Sequence, residues 1–149
     1  MIQPTFDDFV ASLVANGEKS GWTSQNATTG AYGKFQILPS NWRNWSKPAL
    51  STVQHPWIWA QFLIGRLAIA DKVTPPDQWW PNPTETNQTD VARWRLMESW
   101  TAHNGDARYV AAMWEGGGGG DPTTWTRRQV LYVNRVCVPI GYDALPVPA

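Results

Sequence analysis

One acidic residue stands apart in this chain. Glu18 is the only Asp or Glu between Asp8 and Asp71, and the stretch 19–70 carries five bases, Lys19, Lys34, Arg43, Lys47 and Arg66. Glu18 falls four residues after Val14 and eight after Val10, so it continues an apolar helical stripe of Phe6, Phe9, Val10, Leu13 and Val14. A carboxylate at the end of a helix meets the negative end of the macrodipole, and a place on the buried stripe strips it of water. Both effects favour the protonated form, which is what a general acid needs at neutral pH. The plainer alternative is a helix-end Glu turned to solvent. Two-carboxylate glycosidases take a partner acid from a neighbouring element. The segment after Glu18 offers no second carboxylate; its neutral polar groups include Ser20, Asn26, Tyr32 and Gln36. These suit hydrogen bonding to a polar substrate in a groove, or they are exposed strand and turn residues.

Tryptophan is the other marked feature. The chain has 149 residues and 11 Trp within an aromatic share of 13%. Indole stacks on the C–H faces of sugars and keeps one N–H to donate. Trp22, Trp42, Trp45, Trp79, Trp80 and Trp114 lie near expected turns or helix ends, where a groove would expose them; Trp57, Trp59, Trp94, Trp100 and Trp125 lie within expected helices and read as core.

The elements that must hold these groups are legible in outline. Thr5 and Asp8 form a capping pattern ahead of the first helix, which Asn16-Gly17 ends. Alternation over 31–37 predicts a strand of a small hairpin. Pro39 opens a short helix, and Pro56 sits in the first turn of a longer one over 57–72. Four prolines make 74–87 a rigid loop. Asn87 and Asp90 suggest a cap for a helix over 90–103, ended by Asn104-Gly105. A short helix over 109–114, a flexible glycine connection over 116–120, a last helix over 123–138 and a tail complete the chain. The expected class is α+β, mainly helical, with residues 1–141 as one domain and 142–149 as a short tail.

Composition excludes several functions. Lys+Arg and Asp+Glu are both 12, so the formal charge is zero and a generic nucleic-acid coat is not expected. One cysteine, Cys137, and two histidines, His55 and His103, leave no disulfide framework and a poor case for zinc. No metal and no cofactor is expected. The apolar run 57–70 is too short and too polar to span a bilayer, so no membrane partner is expected, and residues 1–9 lack the basic and apolar segments of a signal peptide. The glycines at 116–120 lack the Lys-Ser/Thr of a phosphate loop.

Glu18-Lys19-Ser20-Gly21-Trp22, followed by Asn26 to Trp42 with Gly30-Ala31-Tyr32-Gly33-Lys34-Phe35-Gln36-Ile37 inside it, resembles the core of lysozyme-like lytic transglycosylases of the soluble type, as encoded by bacteria and phages. Similarity continues at Pro83 to Gln88, at Val110-Ala111-Ala112-Met113-Trp114-Glu115-Gly116-Gly117, and from Arg128 to Gly141. The resemblance implies a lysozyme-like fold with a small β-hairpin flanking a substrate groove. It implies Glu18 as catalytic acid, Gln36 on the groove wall, and Trp114 and Glu115 beside the acid; with Ser20, Asn26 and Tyr32 these are the substrate-binding candidates. The implied reaction is cleavage of the β-1,4 bond between N-acetylmuramic acid and N-acetylglucosamine in peptidoglycan glycan strands, with a 1,6-anhydromuramyl product, by a transglycosylase or a lysozyme-type muramidase. The implied setting is a phage particle, or a lysin released to act on the wall. The alternative is a non-catalytic wall-binding or virion structural module. Two departures from the family pattern are Lys19, where Ser usually follows the Glu, and Glu115, where Asn is usual.

Overall fold

Thr5 starts the first helix as its capping residue: its hydroxyl accepts from the Asp8 N–H, and the Asp8 carboxylate accepts from the Thr5 N–H. From there a computed structural model describes residues 3–117 and 120–149, in two compact units. Six α-helices occur among the described residues: α1 (Phe6–Ser12), α2 (Pro39–Leu50), α3 (Pro56–Leu63), α4 (Glu85–Ala102), α5 (Ala107–Gly116) and α6 (Arg127–Cys137).

The helical unit comprises Met1–Lys19 and Leu96–Ala149. Its core is Phe9, Val10 and Leu13 with Val110, Ala111, Val130, Val133 and Val136, all nearly or fully buried. α5 and α6 pack closely: Gln129 donates from Nε2 to the Ala112 carbonyl at 3.1 Å, while its Oε1 closes a capping box with Thr126. That box explains why the last helix begins at Arg127 rather than near residue 123. Ahead of it, Pro122–Thr124 form a 3-10 turn capped by Asp121. The expected glycine connection includes Gly118 and Gly119, which lie outside the described residues. The tail is strapped to α6, because Asn134 exchanges two hydrogen bonds with the backbone of Leu145 and Arg127 donates to the Pro148 carbonyl.

The second unit is Ser20–Arg95. Here the expected α+β class and its lysozyme-like β-hairpin are not found: among the described residues there is no strand, only three isolated bridges. Burial over 31–37 does alternate, with Ala31, Gly33, Phe35 and Ile37 buried. The backbone, however, curls instead of extending. Tyr32 and Ile37 exchange both hydrogen bonds across a tight turn, and Gly33 and Gln36 take φ of +85° and +49°. Two left-handed residues within four positions cannot belong to a strand.

The helix expected over 57–72 stops at Leu63. Gly65, at φ +93°, donates to the Phe62 carbonyl, and Arg66 donates to that of Gln61; this is a Schellman ending. α4 begins earlier than expected, since Thr84 rather than Asn87 is the cap: the Thr84 hydroxyl accepts from the Asn87 N–H at 3.1 Å. Its far end is as expected, with Asn104 at φ +54° followed by Gly105.

Candidate functional site

Glu18 is placed by a turn wider than an α-helical one. After α1 the chain continues as a π-helical turn, Leu13–Gly17, and Glu18 donates its N–H to the Leu13 carbonyl at 2.9 Å. Such turns insert one residue into the helical register and recur at functional sites. The cause lies in packing. Gly17 sits directly on α6, where a Cβ would come within 2.6 Å of Val136 Cγ2 and 3.1 Å of the Tyr132 hydroxyl. Only glycine allows that approach, and it brings the next residue alongside α6.

The Glu18 carboxylate is half-buried, and two donors meet its Oε1. Oε1 accepts from the Trp114 indole Nε1 at 2.9 Å and from the Tyr132 hydroxyl at 2.7 Å. The donors come from α5 and α6, so three segments of the helical unit converge on one atom. Tyr132 is 1% exposed. Burial, then the Glu18 carboxylate with its hydrogen bond, then Glu115, push its phenol far above the ordinary range. It therefore stays protonated and donates at any working pH. The Arg135 guanidinium lies over the Tyr132 ring, 5.3 Å from its centre.

Glu115, one residue beyond Trp114, is engaged by Arg128, whose Nε donates to its Oε1 at 2.5 Å. The Glu115 side chain is 17% exposed, against 86% for Arg128. Glu115 is thus a second carboxylate whose charge is felt at Tyr132, but it is already paired with a cation from the start of α6.

The remaining expected residues fall in the other unit. Asn26 is exposed, and its Oδ1 accepts from the N–H groups of Thr28 and Thr29 at 2.9 and 3.0 Å. Gln36 donates from Nε2 to the carbonyls of Ser24 and Gly33 at 3.1 and 2.9 Å. Both amides serve the loop that carries them. Tyr32 is half-buried with its ring edge-on to Trp79 at 5.7 Å; burial first, then the Asp77 charge, raise its phenol. Ser20 is half-buried at the start of this unit.

Tryptophan placement departs from expectation in both directions. Trp42, Trp79 and Trp80 are in the core, at 1%, 1% and 4% exposure. Trp42 donates to the buried Pro81 carbonyl at 2.8 Å and Trp79 to that of Thr74 at 3.0 Å, so the indole N–H groups of these two have partners. Trp57, Trp59 and Trp94, expected inside, are exposed. Trp100 and Trp125 do pack inward, Trp100 against Phe6 and Phe9. Trp114, expected to stack on a sugar, has its N–H committed to Glu18.

Tyr132 is the site residue that the sequence did not single out. A signal was available: it is the only tyrosine on the apolar face of a strongly amphipathic helix, and a buried phenol requires an acceptor. Gln88 is the structural counterpart in the other unit. It is 2% exposed, donates to the Trp22 and Pro83 carbonyls at 3.0 and 2.7 Å, and accepts from the Lys34 N–H at 3.0 Å. Among the described residues no group of three His, Cys, Asp or Glu side chains is placed to hold a metal ion, and no helix is long and apolar enough to cross a membrane. No family model, no curated protein and no solved structure matches this chain.

Proposed function

We propose that this chain cleaves peptidoglycan glycan strands at the β-1,4 bond between N-acetylmuramic acid and N-acetylglucosamine, with Glu18 as acid and then base. The observation that supports this is the Glu18 carboxylate, half-buried and fixed at one oxygen by two neutral donors, Trp114 and Tyr132. A proton donor must be held within reach of the leaving oxygen in a defined orientation, and two directional hydrogen bonds supply that orientation. Protonated Glu18 gives its proton to the glycosidic oxygen as the C1–O bond breaks. The carboxylate then takes the proton of the muramyl 6-hydroxyl as that oxygen closes on C1, leaving a 1,6-anhydro end. Glu115, the carboxylate that would otherwise activate water, is engaged by Arg128, and this favours intramolecular closure over hydrolysis.

The Glu18→Gln variant keeps the shape and the acceptor oxygen but has no proton to give. Wall clearing by this variant falls by about 10²–10⁴-fold, with the melting temperature held. Equal clearing by variant and parent would refute the proposal. Mass spectrometry of muropeptides formed in H₂¹⁸O reads the product: unlabelled anhydro ends support closure, and stoichiometric label in new muramyl ends refutes it.

A second reading has its own observation. The same two hydrogen bonds tie the residue after the π-helical turn to α5 and α6, as a structural bolt would. In a non-catalytic wall-binding or virion module, the parent clears no wall, and Glu18→Ala costs stability alone.

A further inference from the structure

We propose that the turn after α3 is a membrane-surface anchor that dips into anionic bilayers. Leu63, Ile64 and Leu67 are 72%, 78% and 79% exposed, and Trp57, Trp59, Ile69 and Val73 of the same unit are exposed as well. Single exposed apolar residues are ordinary, but a run of large ones on one turn is not. The turn projects: a Cβ placed on Gly65 would meet no atom within 4 Å.

Its base is stiff. The Schellman ending fixes Gly65 and Arg66, and the Arg66 guanidinium lies 4.1 Å from the Trp80 ring centre, with Phe62 against the same ring at 4.7 Å. Ile69 and Trp80 then exchange hydrogen bonds of 2.7 and 2.9 Å, which clamp the returning chain. The aliphatic tip is therefore presented in a preformed conformation.

Charge selects the occupant. Arg43, Lys47, Arg66 and Lys72 are exposed in this unit, and no Asp or Glu occurs over 19–70. Asp71, held ionised by the Thr74 and Val73 N–H groups and by the Arg43 charge, offsets Arg43, which also donates to the Ala70 carbonyl; Lys47, Arg66 and Lys72 remain in excess. A projecting aliphatic tip, exposed indoles and an excess of bases are the chemistry of insertion at an anionic lipid interface. A partner protein would need polar complements to these bases. The anchor lies on a membrane and does not span it, in keeping with the absence of a spanning helix among the described residues. It departs from the expectation of no membrane partner, which rested on spanning alone, and is independent of the glycan-cleaving proposal.

The test is flotation of the full chain with vesicles of roughly three parts phosphatidylcholine to one part phosphatidylglycerol. The parent floats with these vesicles, less so with pure phosphatidylcholine, and less at high salt. The triple variant Leu63→Ser, Ile64→Ser, Leu67→Ser loses about tenfold or more of the binding, with its melting temperature unchanged because the tip packs on nothing. No flotation of the parent, or equal flotation of the triple variant, overturns the proposal. So does tip-dependent dimerisation of the parent in light scattering without flotation, which would make a second copy the occupant.

Discussion

The two units satisfy their polar groups in opposite ways. In the helical unit, α1, α5 and α6 bond their own backbones, so side chains such as Tyr132 and Trp114 are available to converge on a carboxylate. In the unit 20–95, the loops ahead of α2 and α4 have no sheet to pair with, and side chains do that work instead. Gln88, Gln36, Asn26 and Asn87 each hydrogen-bond loop backbone. Buried backbone groups must find partners, and where regular structure is missing the amides of Asn and Gln become scaffold. Polar residues in an irregular segment are therefore weak evidence of ligand binding, whereas polar side chains that converge from regular helices are free of that backbone duty.

The largest expected effect tests the scaffold side of this contrast. Gln88→Leu removes three hydrogen bonds at once and leaves the Lys34 N–H and the Trp22 and Pro83 carbonyls without their partner. Each such loss costs about 1–3 kcal/mol, so urea unfolding should show a drop of roughly 3 kcal/mol or more. Gly33→Ala should act on the same contact, since its Cβ would fall 1.9 Å from Gln88 Oε1 at a φ of +85°. A loss below about 1 kcal/mol for Gln88→Leu would mean that solvent can replace this side chain.

Next in size is Gly17→Ala in the helical unit. The new methyl would lie 2.6 Å from Val136 Cγ2, and overpacking of this kind costs about 1–3 kcal/mol. The better helical propensity of Ala returns up to about 1 kcal/mol. The diagnostic is the activity: clearing should fall further than stability does, because Gly17 sets the place of Glu18. Tyr132→Phe is smaller in stability, about 1–2 kcal/mol for one hydrogen bond to a carboxylate. It should shift the pH profile of wall clearing, which a purely structural role would leave unmoved.

What the sequence revealed follows the same division. The Thr5–Asp8 capping box, the Asn104-Gly105 ending and Glu18 as a half-buried helix-end carboxylate were legible because they depend on neighbours within a few residues. The period-two burial of 31–37 was also legible, but it does not determine backbone conformation, and two left-handed residues turned the expected strand into a loop. Trp42, Trp79 and Trp80, expected at a groove, and Trp57, Trp59 and Trp94, expected inside, were misassigned because position along a helix says nothing of what covers it. Trp42 is covered near Trp79, and Trp57, within α3, is left open. The pairing of Tyr132 with Glu18 spans 114 residues, a relation that no local pattern contains.

The smallest expected effect concerns a charge that serves a helix start rather than a site. Asp106 caps α5 by accepting from the Arg108 N–H at 3.1 Å and pairs with the Arg108 guanidinium at 2.8 Å. Burial pushes its carboxyl up, but the hydrogen bonds and charge of Arg108, with His103, outweigh that and hold it below the usual value. A depressed carboxyl contributes stability that is fully present above its unfolded pKa of about 3.9 and is lost as pH falls through the lower folded value. Asp106→Asn keeps an acceptor for the cap but loses the ion pair. Because the pair is partly exposed, the cost near neutrality should be under about 1 kcal/mol. The gap in melting temperature between parent and variant should hold constant from about pH 5 to 8 and close below about pH 4. A gap that persists in acid would assign the role of Asp106 to the hydrogen bonds of the cap, with no contribution from its charge.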